Sequence, residues 1–173
     1  SKEGCILNRV IRWTEAGIEY EVDPRQAEKL IAECGLEGAN AVATPGIKET
    51  SAQAAEDKPL EDRLHTAYRA STARANYLSA HRVDTQFAAK EVCRWMSAPT
   101  TNSFGALKRL TRYLCGVPRL VFLYPWQRVD AVDVYVDTDW AGCVRTRRST
   151  SGGCVMLGQH LIKSWSTTQA GVT

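Results

Sequence analysis

Two carboxylates, Asp137 and Asp139, stand one residue apart at the end of a β-like run. Alternate residues of a strand share a face, so the two side chains are predicted to lie on the same side, about 6–7 Å apart. Carboxylate oxygens are the ligands that Mg²⁺ prefers, and clusters of them support two-metal phosphodiester hydrolysis. The same pattern is also common where a carboxylate caps a turn, and it does not fit a calcium-binding loop. The residues alone leave a metal site and a turn cap both open.

A short basic segment follows directly and contains Arg145, Arg147, Arg148 and Ser149. Guanidinium groups and hydroxyls beside carboxylates are suited to holding phosphates. A solvated hairpin loop has the same composition. The segment is therefore a candidate nucleic-acid contact, with an ordinary surface loop as the alternative.

Composition limits the class of protein. The chain has 173 residues, 44% of them apolar, and a net charge of +3, which indicates a globular protein and only a weak bias toward polyanions. The six cysteines form no C-x-x-C pair, so we expect reduced thiols and a cytoplasmic or nuclear location rather than secretion. No signal peptide or membrane-spanning run is visible. The chain contains no phosphate-binding loop, dinucleotide fingerprint or nucleophile elbow, and its three scattered histidines are not predicted to be catalytic bases.

The elements that must position these residues indicate an α+β fold. A hairpin is predicted from residues 6–13 and 18–22, followed by a helix that starts at Asp23-Pro24 and ends at Gly35. Residues 38–62 lack periodicity and indicate an exposed, mobile linker.

Three helices and a sheet are predicted after this linker. The helices cover residues 68–80, the segment from a cap at Asp84 to Pro99, and the segment from a cap at Thr100 or Thr101 to Gly116. Core stripes such as Leu107, Thr111 and Leu114 are expected on them. Antiparallel strands are predicted at 119–124, 131–139, 153–157 and 161–166.

The order of these segments resembles the C-terminal part of the Pol polyprotein of copia-type LTR retrotransposons, over nearly the whole chain. The strongest motifs are Tyr135-Val-Asp137-Thr-Asp139-Trp140-Ala-Gly142, then Arg147-Arg148-Ser149-Thr150-Ser151-Gly152-Gly153, then Ser164-Trp165-Ser166. In that family this order opens the RNase H domain. Residues 77–96 and 108–116 look like the connection region, and the hairpin and helix through Thr44-Pro45-Gly46 look like the end of the reverse transcriptase.

This resemblance implies four segments. They are the reverse transcriptase end (1–37), a linker (38–62), a helical connection region (63–117) and an incomplete RNase H-like antiparallel sheet (118–173). The parent would copy RNA into DNA and cleave the RNA strand of an RNA–DNA hybrid, with the rest of the polyprotein and nucleic acid as partners and no membrane.

The resemblance also assigns Asp137 as the first carboxylate of a two-Mg²⁺ site. The family's Ser-Ser-x-Glu-Ala-Glu helix is expected after Thr173, the polymerase Asp-Asp motif is absent, and Cys143 stands where the family often has an acidic residue. The sequence therefore predicts a fragment that is inactive alone, with an exposed sheet edge and exposed Val155 and Leu157.

Two other functions are compatible with the residues. A non-catalytic remnant could bind nucleic acid through the arginine segment and the basic helix face of Lys108, Arg109 and Arg112. Alternatively, Asp137-Thr-Asp139 could be the metal–nucleotide clamp of a glycosyltransferase, although no nucleotide-sugar fold pattern precedes it.

Overall fold

The computed structural model describes residues 2–171 and shows the predicted α+β class. Its helices and strands alternate along the chain in blocks. In order, they are β1 (Lys2–Ile6), β2 (Arg9–Trp13), β3 (Gly17–Glu21), α1 (Arg25–Glu33), α2 (Ser51–Glu56), α3 (Asp62–Ser79), a 3₁₀ turn (Val83–Thr85), α4 (Gln86–Cys93), α5 (Thr101–Gly116), β4 (Val121–Pro125), β5 (Val132–Thr138), β6 (Thr150–Leu157) and β7 (His160–Thr168). None of the helices in this described part is long and apolar enough to cross a bilayer.

The N-terminal strands begin earlier than the sequence predicted. Leu7 and Asn8 have φ values of 50° and 63°, so they form a two-residue turn between β1 and β2. Two successive positive φ values match the twist that a tight hairpin needs. The predicted continuous strand over 6–13 is therefore wrong, because a leucine in this conformation gave no recognisable turn signal.

The strand predicted at 119–124 is present as β4, but it was placed in the wrong sheet. β4 pairs with β3, and the N-terminal sheet has the order β1-β2-β3-β4. Gly17 permits the approach of the two strands, since a Cβ there would lie 2.2 Å from the Tyr124 carbonyl oxygen. The chain thus returns to its first sheet before it builds the second one.

The helices supply most of the buried core. Leu30 of α1, Tyr68 of α3 and the α5 residues Leu107 and Leu114 are fully buried, which confirms the predicted apolar stripe of α5. Thr100 caps α5: its hydroxyl oxygen accepts from the Ser103 N–H, and its own N–H donates to the Ser103 hydroxyl oxygen.

Asp84 has a different role from the predicted helix cap. Its carboxylate pairs with Arg82 at 2.6 Å and accepts a hydrogen bond from the Tyr113 hydroxyl. The Arg82 side chain is only 1% exposed, so the arginine of this ion pair is buried among the helices. A short 3₁₀ turn replaces the expected start of the helix.

The segment 38–62 is more ordered than the predicted mobile linker. It contains α2, whose first turn Thr50 and Gln53 close with a capping box. Leu60 is 6% exposed, and its N–H donates to the Pro99 carbonyl. Hydrogen bonds and single buried residues such as Leu60 hold this segment against the helices, and it has no periodic apolar stripe.

The second sheet has the order β5-β6-β7 and confirms the strands predicted around 131–139, 153–157 and 161–166. β5 is an edge strand, and Val136 on it is 73% exposed. The expected exposure of Val155 and Leu157 is wrong, because both lie half-buried on the central strand.

Candidate functional site

Asp137 lies near the end of β5, where it faces Gly152 of β6 in the strand register. It is solvent-exposed on the edge strand. The sequence predicted a carboxylate at the end of a strand, and Asp137 lies there, just before the loop that carries the arginines.

Asp139 organises the loop that follows β5. Its Oδ1 accepts a hydrogen bond from the Thr150 N–H at 2.6 Å, and its Oδ2 lies 3.5 Å from the Lys48 ammonium. The backbone hydrogen bond from Thr150 and the charge of Lys48 lower the pKa of this carboxyl. Gly142 leaves room for it, since a Cβ there would lie 1.9 Å from Oδ2. Asp139 therefore caps a turn, which is one of the two roles that the sequence left open.

These residues do not fit a two-Mg²⁺ site within the chain. Asp139 is engaged by a backbone donor and an ammonium group, which leaves Asp137 as the one carboxylate of the pair directed to solvent. Within residues 2–171, no cluster of three His, Cys, Asp or Glu side chains could hold a metal ion. A single exposed carboxylate provides too few protein ligands to hold two magnesium ions.

Ser149 supports the arginine loop from inside. It is 3% exposed, and its hydroxyl accepts a hydrogen bond from the Ala141 N–H at 2.9 Å. Its carbonyl oxygen accepts from the Gln169 N–H, which ties the loop to the end of β7. The structure therefore gives Ser149 a supporting role in place of the predicted phosphate contact, because its hydroxyl does not reach the surface.

Arg145 is held by two carboxylates of the 38–62 segment. It forms a two-pronged ion pair with Glu49, at 2.5 and 2.7 Å, and reaches Asp57 at 2.6 Å. Its guanidinium also lies 4.8 Å from the ring centre of Trp95. The Glu49 carboxylate, followed by Asp57, raises the pKa of Arg145. Arg145 thus fastens the loop to the helical layer and is not directed toward solvent.

This three-residue cluster of Glu49, Asp57 and Arg145 was missed by sequence reasoning. Asp57 also accepts hydrogen bonds from the Asn102 N–H and the Thr101 hydroxyl, so it anchors the start of α5 as well. The partners are separated by 88 and 96 positions along the chain, and no local pattern relates them. An excess of acidic residues in a segment without periodicity was the only available signal.

Cys143 carries an unusual thiol in the same loop. Burial raises its pKa, but hydrogen bonds from Thr146 and from Arg94, at 3.2 Å, outweigh burial and lower the pKa to about 7. The Cys143 side chain lines a cavity of about 310 Å³ between the loop and the helices. The residue that stands in place of an expected acid therefore carries a partial negative charge near neutral pH.

Arg147 and Arg148 are the predicted contact residues that the structure leaves exposed. Arg147 has a φ of 56°, and its N–H donates to the Cys143 carbonyl, so it sits at the bend of the loop. The basic face of α5 is less available: Arg109 donates to Thr44 and Arg112 to the Asn40 carbonyl. Arg147 and Arg148 therefore lie on the loop that follows β5, the strand of Asp137. Contacts of Ser149 and Arg145 hold this loop in place.

Comparison with known proteins finds Pol polyproteins and uncharacterized mitochondrial proteins of Arabidopsis thaliana. The chain is 33% identical over 138 residues to the retrovirus-related Pol polyprotein from transposon RE2 and 36% identical over 102 residues to that from transposon RE1, both of Arabidopsis thaliana. These matches cover 80% and 59% of this chain. It is also 38% identical over 100 residues, 57% of this chain, to an uncharacterized mitochondrial protein of Arabidopsis thaliana. No family model matches, and no solved structure matches.

A mixed α/β chain with these motifs in this order is a segment of a retroelement polyprotein. It belongs to the family of retrovirus-related Pol polyproteins of copia-type retrotransposons, as its motifs indicated. The chain spans 9% of the RE2 polyprotein, 7% of the RE1 polyprotein and 41% of the mitochondrial relative.

Proposed function

We propose that this chain is the part of a Pol polyprotein that joins the end of the reverse transcriptase to the start of the RNase H domain. We further propose that it holds the backbone of an RNA–DNA hybrid without cutting it. The printed names of the relatives and the order of the motifs support this assignment. The joint would consist of the N-terminal sheet closed by β4, the helical layer and the sheet that carries Asp137.

The observation that carries the proposal is the pair of exposed arginines on a braced loop. Arg147 and Arg148 project from a segment that Ser149 supports internally and Arg145 fastens to the helices. A guanidinium that is presented on a fixed backbone can donate two parallel hydrogen bonds to a phosphate. Such contacts set position on a nucleic acid and carry no base sequence, which suits a polyprotein that must process any template.

Hydrolysis is not part of the function proposed for this chain alone. The Asp137 side chain would supply one metal ligand in a longer protein, whereas Asp139 is committed to Thr150 and Lys48. Mg²⁺ therefore belongs to the proposal for the parent, where further carboxylates would complete the site.

Fluorescence anisotropy with a labelled RNA–DNA hybrid tests the interface. The expected result is an affinity that falls steeply between about 50 and 200 mM salt, since each phosphate contact releases counterions. The double variant Arg147→Gln/Arg148→Gln should lower the log–log salt slope by about 2, which is one unit per lost contact.

The matched control is Arg63→Gln/Arg128→Gln, which removes two positive charges, as the loop variant does, from exposed arginines outside the loop. It should bind almost as the unchanged protein does. Equal effects of the loop and control variants would mean that only net charge matters and would overturn the assignment of the loop. Binding that does not respond to salt would overturn the proposed phosphate contacts altogether.

A further inference from the structure

A cleft of about 550 Å³ lies between the two sheets. One wall is the face of the N-terminal sheet that carries Tyr20, Phe122 and Tyr124, and the other is β7 from His160 to Ser164. His81, at the end of the helix pair, closes one side. Its volume is in the range of clefts that hold small organic ligands. It is separate from the arginine loop, whose residues do not line it.

Five rings form a continuous row along this cleft. His81 and Tyr20 have ring centres 6.3 Å apart, Tyr20 and Phe122 are 6.4 Å apart, Phe122 and Tyr124 are 6.4 Å apart, and Tyr124 and His160 are 5.3 Å apart. The row arises from the late return of β4, because Tyr20 of β3 stands opposite Phe122 in the register. The five residues lie half-buried, so part of each ring is open to solvent. Partly open aromatic rings on a sheet are the usual support for unstacked bases.

Hydrogen bonds fix one end of the row. Arg9 donates to His81 Nε2 at 2.5 Å, and His81 Nδ1 lies 3.3 Å from the Tyr20 hydroxyl. Since a guanidinium can only donate, Nε2 must be the acceptor, and the ring proton is on Nδ1. Burial, and then the charge of Arg9, lower the pKa of His81. The imidazole is therefore neutral at pH 7 and stands beside a permanent cation.

The charge of the cleft has one sign. Lys163 lines its β7 wall, and none of the described residues that line the cleft carries a carboxylate. The acids of β3 face the other side of the sheet, where Glu21 pairs with Arg12 and Arg119. An occupant that has flat apolar rings and negative charge complements such a cleft.

We propose that this cleft binds an unpaired stretch of polynucleotide, with bases against Tyr20, Phe122 and Tyr124 and phosphates near Arg9 and Lys163. Like the proposed function, this inference has a nucleic acid as the partner. The site and the form of the nucleic acid are different. Stacking accepts every base, so DNA and RNA strands of any sequence should bind. The chain would hold duplex on the arginine loop and single strand between the sheets.

Binding of labelled oligo-dT and oligo-U to the purified chain tests this inference. Tyr124→Leu leaves an apolar side chain but removes the flat ring, and it should weaken binding of both oligonucleotides about tenfold. Tyr124→Phe should bind like the unchanged protein. The control Tyr135→Leu removes a 61%-exposed ring of β5 outside the cleft and should have little effect.

Lys163→Gln provides a second test on an exposed side chain whose loss should not affect folding. It should lower the salt slope for oligo-dT by about 1, and the exposed α1 variant Lys29→Gln should not. Unchanged oligonucleotide binding by both Tyr124→Leu and Lys163→Gln would overturn the cleft as the site. Binding of only one of the two oligonucleotides would overturn the claim that the cleft accepts DNA and RNA strands alike.

The loop variant distinguishes this inference from the proposed function. Arg147→Gln/Arg148→Gln should weaken the hybrid and spare oligo-dT, and Tyr124→Leu should do the reverse. Loss of both ligands in the loop variant alone would overturn the cleft and leave the loop proposal standing. Photo-crosslinking of a 5-bromouracil oligonucleotide to the segment around Tyr124 would support the cleft, and crosslinks confined to the arginine loop would overturn it.

Discussion

Replacement of Arg145 by alanine tests whether this arginine is a structural fastener or a nucleic-acid contact. In the protein it bridges Glu49 and Asp57, whose side chains are 28% and 2% exposed. Its removal leaves two neighbouring carboxylates without their cation, one of them buried. It also removes the contact with the Trp95 ring.

The expected cost follows from this partial burial. Loss of one partner from a buried pair destabilises by about 3–5 kcal/mol, while an exposed pair contributes about 0–1 kcal/mol. Arg145 itself is 21% exposed, and Asp57 keeps its bonds from the start of α5. We therefore expect a loss of about 2–3 kcal/mol in the free energy of unfolding, or about 5–10 °C in Tm.

Urea unfolding followed by circular dichroism measures this loss. Arg63→Ala, which breaks a highly exposed pair with Glu61, should cost less than about 0.5 kcal/mol. The reasoning is refuted if Arg145→Ala is as stable as the unchanged protein and instead weakens binding of the hybrid. The loss of stability in Arg145→Lys should fall between those in Arg145→Ala and Arg63→Ala, because an ammonium group cannot reproduce the two-pronged hydrogen bonding of the guanidinium.

The pH dependence of the Arg145→Ala effect has a defined sign. Arg145 holds the pKa of Glu49 below its usual range, and hydrogen bonds from Asn102 and Thr100–Thr101 together with Arg145 outweigh burial to lower that of Asp57. Lowered carboxyl pKa values stabilise the fold above their unfolded values of about 4, and this contribution is lost as the pH falls through the folded values. The difference between the two proteins should be full at pH 7 and should shrink below about pH 4.

Three further outcomes are expected. Asp84→Asn should lower the free energy of unfolding by about 3 kcal/mol in urea titrations, because it leaves the buried Arg82 without its carboxylate. The rate of Cys143 alkylation, followed by mass spectrometry, should reach half its maximum near pH 7, and Arg94→Met should move this midpoint upward by removal of a donor to the thiolate. Val136→Lys on the exposed edge strand should reduce light scattering from concentrated solutions, since a charge there opposes strand-to-strand association; unchanged scattering would mean that the edge does not drive association.

Local patterns predicted much of the fold. Helix α5 was predicted from a cap at Thr100 or Thr101 and the stripe of Leu107 and Leu114, because capping and 3.6-residue periodicity act over a few neighbours. The pairing of β4 with β3 was not predicted, since strand order depends on contacts between residues about a hundred positions apart. The Leu7-Asn8 turn was missed for another reason: leucine rarely adopts positive φ, and only the paired strands impose it.

The position of the candidate site was predicted, but the contacts of its residues were not. The sequence located the loop and its exposed Arg147 and Arg148, because charge and turn residues are local signals. It did not separate them from Arg145 and Ser149, whose partners lie in the 38–62 segment and in the neighbouring backbone. The aromatic cleft was also missed, since its rings come from β3, β4, β7 and the turn after α3, which are far apart in the sequence.

One incubation tests the account most directly. The purified chain is mixed with an end-labelled RNA–DNA hybrid in Mg²⁺, and the same sample is run on native and denaturing gels. We predict a retarded complex that weakens with salt, an intact RNA strand, and identical behaviour of Asp137→Asn. Cleavage of the RNA strand that disappears in Asp137→Asn would contradict the account, because it would require a metal centre that the described carboxylates do not provide.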